Sequence, residues 1–325
     1  MRFVPNYDFQ VITERDYEEQ LRRVDGLLEA CKETGTFSAF DQIRLSYVYY
    51  LAQDPKANVV IVHGLGEFAK KFSEIIYYFL QQGYNVFIYD QRGHGLSDRL
   101  IEDRGVRHVR AFTDYVADLE QFVEEVVLPT QDLPVYLYAH SMGCAVSLLY
   151  MERRPDRVAK AALSAPMIIP SLRGAPLWLA RAGVALGKCF LGAKKPFYSI
   201  PDFDPDAKHD PNLCTSPARF YHLHRLRVEN ADYRSAPITF GWAYEALGLK
   251  GKLLSKSFLA RLKAPVLLIS AEWDKVVEIS YQKEFARKYS GCRFVQIEEE
   301  YHALHACKDS HMEKIFRQIF AFYSA

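Results

Sequence analysis

Short unbroken apolar runs recur along this 325-residue chain, and each is followed by a stretch whose apolar residues return every three or four positions. "LSYVYYLA" (45–52) alternates as a strand does. After it come "NVVIVHG" (58–64), "NVFIYD" (85–90), "VYLYA" (135–139), "AKAALSAP" (159–166), "APVLLISA" (264–271) and "CRFVQIEE" (292–299). Between these runs the spacing predicts helices over 69–82, over 113–127, from 142, over 280–289 and from about 310, the first closed by Gly83. Continuous Val/Ile/Leu strands alternating with helices indicate a mostly parallel sheet, because neither face of such a strand can be left to water. A charged helix is expected over 14–32, packed on the outside, with regular core structure beginning near Arg44.

The alternation stops between 167 and 263, where Pro, Gly and aromatic residues replace strand-like runs. Because this stretch sits between two strands of the pattern, it reads as a helical insertion and not as an independent domain. The expected organisation is an N-terminal helical extension (1–38), an α/β core (39–166 and 264–325) and a cap or lid (167–263) with helices on both faces of the central sheet.

Bulk composition narrows the function. Hydrophobic residues make up 49% and charged residues 25%, enough for a sizeable core. Lys and Arg number 41 against 40 Asp and Glu, so there is no basic footprint for nucleic acid. Six scattered cysteines without CxxC spacing read as reduced thiols, neither a disulfide framework nor a zinc site, and fit a cytoplasmic setting. The first twenty residues lack the apolar core of a signal peptide, and no run reaches the roughly 18 apolar residues of a membrane span. A soluble protein is expected, with contact at the inner membrane surface left open.

The chemistry sits at the end of "VYLYA". A strand runs into Ala139-His140-Ser141-Met142-Gly143 and a helix begins at once, which places Ser141 at the apex of a nucleophile elbow. Residues two before and two after such a serine lie where strand and helix crowd each other, so both must be small; Ala139 and Gly143 are. "HGLGE" (63–67) follows a strand where a second oxyanion donor belongs, making the Leu65 and Met142 N–H groups the candidate pair, with His63 a structural histidine orienting the loop. The acid should follow the serine and the base should come last. Asp274, just past "VLLIS", is the preferred acid over Glu272. His302 and His305 follow the last strand and would face a similar side if helical; the first is preferred. "DQRGHGLS" (90–97) lacks the spacing and the lysine of a phosphate loop. No metal and no organic cofactor is called for.

Taken together, "HGLGE", "DQRGHGLSD", "FTDYVADLEQF", "AHSMG", "LSAPM", "AEWDKVV" and "YHALH" resemble the α/β-hydrolase fold, and within it the bacterial lysophospholipase and monoacylglycerol lipase group. The resemblance implies a serine hydrolase with nucleophile Ser141, acid Asp274, base His302 and oxyanion donors Leu65 and Met142. "SAPITFGWAYEA" (235–246) is similar to the lysophospholipase branch, which implies a lysophospholipid ahead of a monoglyceride. In the cap, Leu179, Leu186 and Phe190 fall on one helical face with Arg181 and Lys188 roughly opposite and Lys194 and Lys195 beyond. Such a helix, carrying Trp178, either packs its apolar face on the core to line an acyl pocket or lies on an anionic membrane. Other readings keep the scaffold: a capped hydrolase of small esters or amides resembling proline iminopeptidases, which would use insertion carboxylates (Asp202, Asp204, Asp206, Asp210, Glu229, Asp232, Glu245), or a non-catalytic binding protein. Dehalogenases and epoxide hydrolases need Asp where Ser141 stands.

Overall fold

The computed structural model describes residues 1–102, 106–200, 202–234 and 237–325. Its centre is an eight-stranded sheet: β1 (Lys32–Ser38), β2 (Arg44–Tyr50), β3 (Asn58–Val62), β4 (Asn85–Tyr89), β5 (Val135–His140), β6 (Val158–Ser164), β7 (Val266–Ala271) and β8 (Cys292–Ile297). The spatial order is β1-β2-β4-β3-β5-β6-β7-β8. β1 and β2 run antiparallel to their neighbours, and every later pairing is parallel. The helices are α1 (Tyr17–Cys31), α2 (Ser73–Gln81), α3 (Phe112–Phe122), α4 (Leu128–Thr130), α5 (Met142–Arg153), α6 (Leu177–Phe190), α7 (Pro217–Glu229), α8 (Phe240–Leu253), α9 (Lys256–Leu259), α10 (Ile279–Lys288) and α11 (Asp309–Ser324).

The unbroken apolar runs are explained by the two faces. Along β3, Val60 and Val62 join one core cluster with Val109, Leu148 and Trp242, whereas Val59 and Ile61 join a second with Ile76, Phe79 and Phe316. The period of two along a strand thus feeds two cores instead of one core and solvent.

The structure differs from the sequence reading in the N-terminal segment and in the insertion. Residues 32–38, inside the expected helical extension, form an edge strand paired with β2 in register from Lys32↔Tyr50 to Ser38↔Arg44. The segment KETGTFS buries only Phe37, so its apolar signal is too weak to read. Helix α1 is also no loose appendage: Leu21, Val24, Leu28 and Cys31 are buried in the second core. In the insertion, α8 buries Trp242, Ala246, Leu249 and Leu253 in the first core, with Trp242 5.6 Å from the Phe112 ring. This part of the expected cap is a layer of the body. The quoted cap motif begins at Ser235 and Ala236, which lie outside the described residues.

Helix α7 is tied down by one guanidinium. Buried Arg219 meets both Glu74 oxygens (Nε to Oε2 3.1 Å, Nη2 to Oε1 2.7 Å), the Ile12 carbonyl (2.8 Å), the Cys307 carbonyl (3.1 Å) and Asp309 (2.9 Å). Helix α6 behaves oppositely. Trp178 is 72% exposed and Phe190 80%, Leu179 and Leu186 are exposed, and Val184 is its one buried residue. Arg181, itself exposed, and half-buried Lys188 lie over the Tyr244 ring of α8, at 5.3 and 4.4 Å from its centroid. The apolar face therefore does not pack on the core. No helix of the described residues is long and apolar enough to cross a membrane.

Candidate active site

Strand β5 ends at His140, and Ser141 turns the chain with φ 52° and ψ −118° before α5 starts at Met142. A non-glycine residue there costs about 1–3 kcal/mol and persists only where the surroundings enforce it. They do. Ala139 is fully buried, and a Cβ on Gly143 would fall inside the Val62 carbonyl. The helix can approach β3 this closely only because residue 143 has no side chain. Gly64 presses from the other side, where an added Cβ would stand 3.0 Å from Ser141 Cβ. Leu65 thus follows a backbone already against the serine, and the Met142 N–H is among the first-turn amides that lack an intrahelical partner.

The structure brings Ser141, His302 and Asp274 together. His302 Nε2 lies 2.8 Å from Ser141 Oγ and its Nδ1 2.7 Å from Asp274 Oδ2. Asp274 Oδ1 accepts the Val276 and Val277 N–H groups at 2.8 and 3.1 Å, so the carboxylate is fixed by its own turn. With Nδ1–H donating to a carboxylate, the Nε2 lone pair is left to accept the serine hydroxyl. Burial pushes the His302 imidazole below its ordinary value, against the opposing pull of Asp274. The ring is therefore neutral and able to take a proton near neutral pH.

The alternatives fall elsewhere. Exposed Glu272 accepts the Glu299 N–H at 2.9 Å and has no contact with either histidine. His305 is buried, and neither ring nitrogen has a hydrogen-bond partner. His63 is structural: its ring bridges the Gly64 carbonyl and the Gln91 N–H, both at 2.9 Å. The "DQRGHGLSD" turn is held from within. Asp90 accepts the Ala69 and Leu96 N–H groups at 2.6 and 2.8 Å, and buried Arg92 pairs with Asp118 and Asp41.

Sequence reading did not single out the groups behind the triad. Glu67 Oε2 accepts the Gly64 N–H at 2.5 Å and faces His140 Nδ1 at 3.1 Å, while Oε1 pairs with Lys71 at 2.6 Å. His140 Nε2 reaches the His302 carbonyl at 3.2 Å. The i,i+4 spacing of Glu67 and Lys71 was the one local clue; the link to 302 spans 162 residues. Also unforeseen is Arg227 on α7, whose Nε is buried without a hydrogen-bond partner and on which the Glu67 carboxylate acts.

A serine on a strained elbow above a mostly parallel sheet, with carboxylate and imidazole delivered after β7 and β8, defines a hydrolase of the α/β fold. The chain belongs to the family described as "Serine aminopeptidase, S33", which it matches over residues 53–309. It is 28% identical over 315 residues to Lysophospholipase L2 of Escherichia coli strain K12, covering 90% of this chain and 88% of that one. It is 24% identical over 257 residues to a Monoacylglycerol lipase of Mycolicibacterium smegmatis, covering 78% and 83%. A soluble variant of monoglyceride lipase from Saccharomyces cerevisiae shares its fold, with TM-score 0.72 at 18% identity over 89% of this chain and 94% of that one. The protein is a carboxylic ester hydrolase.

Proposed function

We propose that the protein hydrolyses the ester of a single-chain lipid, a lysophospholipid ahead of a monoacylglycerol, through an acyl-enzyme on Ser141. The hydrogen-bonded line from Ser141 through His302 to Asp274 carries this reading. Ser141 Oγ attacks the ester carbonyl as His302 Nε2 takes its proton, and Asp274 stabilises the imidazolium that forms. The Leu65 and Met142 N–H groups receive the oxyanion, each such donor being worth about 3 kcal/mol in the transition state. His302 then protonates the departing alcohol, and water, activated by the same ring, releases the fatty acid.

Lipid as substrate is supported by the relatives' names and by α6, whose exposed Trp178, Leu179, Leu186 and Phe190 form an apolar face beside exposed Lys194 and Lys195. Such a face suits a bilayer surface, and the free cysteines suit a reducing compartment on its cytoplasmic side. Arg227 favours a phosphate-bearing headgroup: it is a half-buried cation whose nearby carboxylate among the described residues, Glu67, has its oxygens taken by other donors. An aminopeptidase would need a carboxylate free to hold the amine. Asp210 binds Asn212, Asp232 binds Arg99, Glu245 faces the Phe112 N–H, and Asp202, Asp204, Asp206 and Glu229 are exposed.

The test is turnover of lysophosphatidylethanolamine, monooleoylglycerol, p-nitrophenyl butyrate and proline p-nitroanilide, each with Ser141→Ala as control. Lyso-lipid turnover that vanishes in the folded variant is expected; retained turnover sinks the triad, and cleavage of the anilide alone sinks the lipid reading. Arg227→Met should raise KM for the lyso-lipid and not for monooleoylglycerol. In vesicle co-sedimentation, the Leu179/Leu186/Phe190→Ser triple variant should lose binding, and unchanged binding would remove the membrane face from the proposal.

A further inference from the structure

Both ring nitrogens of His140 point at acceptors: Nδ1 at Glu67 Oε2 (3.1 Å) and Nε2 at the His302 carbonyl (3.2 Å). A neutral imidazole has one N–H and one lone pair, so one of the two contacts would set lone pair against lone pair. Either His140 carries both protons or Glu67 is a neutral acid. Independently of His140, Glu67 accepts the Gly64 N–H on Oε2 and the Lys71 ammonium on Oε1 at 2.6 Å, contacts that favour an ionised carboxylate. Its carboxyl is correspondingly held well below the ordinary range: the cost of burial is outweighed by His140 and then Lys71. The proton therefore belongs to His140.

We propose that Glu67 and His140 are positioning residues, a buried carboxylate–imidazolium pair that holds the oxyanion loop through Gly64 and the backbone of the base through the His302 carbonyl. The pair rests on the reading of His302 as the base. It is a chain of contacts from the loop after β3, through the last residue of β5, to the loop after β8, and each of these places delivers or adjoins one part of the reacting constellation. The charged or titratable groups facing it are Lys71 and Glu67 from the β3 loop, Arg227 from α7, and His302 and His305 from the β8 loop. His305 stands edge-on to His140 at 4.7 Å between ring centres, and burial holds it neutral, so it adds no second charge. A divalent cation among Glu67, His140 and His305, whose ligand atoms lie within 4.8 Å of one another, would have to sit beside the Lys71 ammonium already 2.6 Å from Glu67. Charge repulsion favours the proton over the metal.

Two measurements decide it. In the native protein labelled with 15N-histidine, His140 should show two protonated ring nitrogens at neutral pH, assigned by their loss in His140→Asn; a neutral tautomer overturns the proposal. In His140→Asn the amide superposes on Nδ1 and keeps the Glu67 contact, while the charge and the bond to the His302 carbonyl are lost. Removing a cation whose ring centre lies 5.0 Å from that of His302 should move the acid limb of kcat/KM upward by about one pH unit. Loss of positioning should lower kcat roughly ten- to a hundredfold at little change in KM. A limb that does not move, with kcat within about twofold of native, overturns the pair. The ring-state measurement needs no turnover, so failure of the triad in the Ser141→Ala control is read separately.

Discussion

Asp274→Asn isolates one step of the mechanism with almost no change in shape. Oδ1 of the residue accepts the Val276 and Val277 N–H groups, so the amide of the variant keeps its oxygen there and presents NH2 to His302. Nδ1, 2.7 Å away, must then accept instead of donate, and the ring's single proton moves to Nε2. That proton points at Ser141 Oγ, 2.8 Å away, and the base is gone although no heavy atom has moved. The same tautomer trap in the serine-protease triad costs roughly 10⁴ in kcat. At about 1.36 kcal/mol per decade this is ~5.4 kcal/mol of transition-state stabilisation. Because the Val276 and Val277 bonds survive, the thermal midpoint should shift by a few degrees at most, about what 1 kcal/mol produces. Turnover of p-nitrophenyl butyrate beside a thermal melt reads both quantities, with Glu272→Gln as control. Glu272 binds only the Glu299 N–H at the exposed rim and should leave kcat within about twofold. A folded Asp274→Asn protein losing less than about tenfold would refute the assigned acid and the tautomer argument together.

Two further outcomes follow from the same geometry. Burial lowers the His302 imidazole, so the free base persists to lower pH and the acid limb of kcat/KM should lie below about 6.5; a limb above it would mean that the ion pair with Asp274 outweighs burial. Gly143→Ala puts a methyl into the Val62 carbonyl, which α5 can relieve only by moving away from β3 and carrying Ser141 with it. Overpacking of this kind costs about 1–3 kcal/mol, and kcat should fall further than stability alone explains; an unchanged melt and rate would show that the elbow is looser than its packing indicates.

What could be read from the chain was what is local or periodic. Runs such as NVVIV carry their own signature because both faces of β3 are buried, and Ser141 is announced by the small residues that its turn demands on either side. Asp274 was readable because a triad acid follows a strand end. His302 and His305 share a segment, and only the three-dimensional path shows that the first ring reaches Ser141 while the second turns into the body. Strand β1 was invisible because an edge strand with one buried side chain need not look hydrophobic. The rotation of α6 was equally hidden. An amphipathic pattern says that two faces differ, not which one faces the protein, and here the cations lie against Tyr244 of α8 while Leu179, Leu186 and Phe190 stay exposed. The Glu67–His140–His302 chain joins residues far apart in sequence, beyond the reach of any short motif.

The Arg219 cluster bears on how the molecule comes into being. One side chain gathers the Ile12 carbonyl, Glu74, the Cys307 carbonyl and Asp309, so α7 cannot be fully seated until the segment that carries residues 307–309 exists. His302 belongs to that same segment. During vectorial synthesis the elbow and most of the sheet emerge well before either the imidazole or the clasp that secures α7. A nascent chain that stops short of residue 302 therefore carries Ser141 without its proton acceptor and α7 without its Cys307 and Asp309 anchors. The serine gains its proton acceptor in the same stretch of chain that anchors α7.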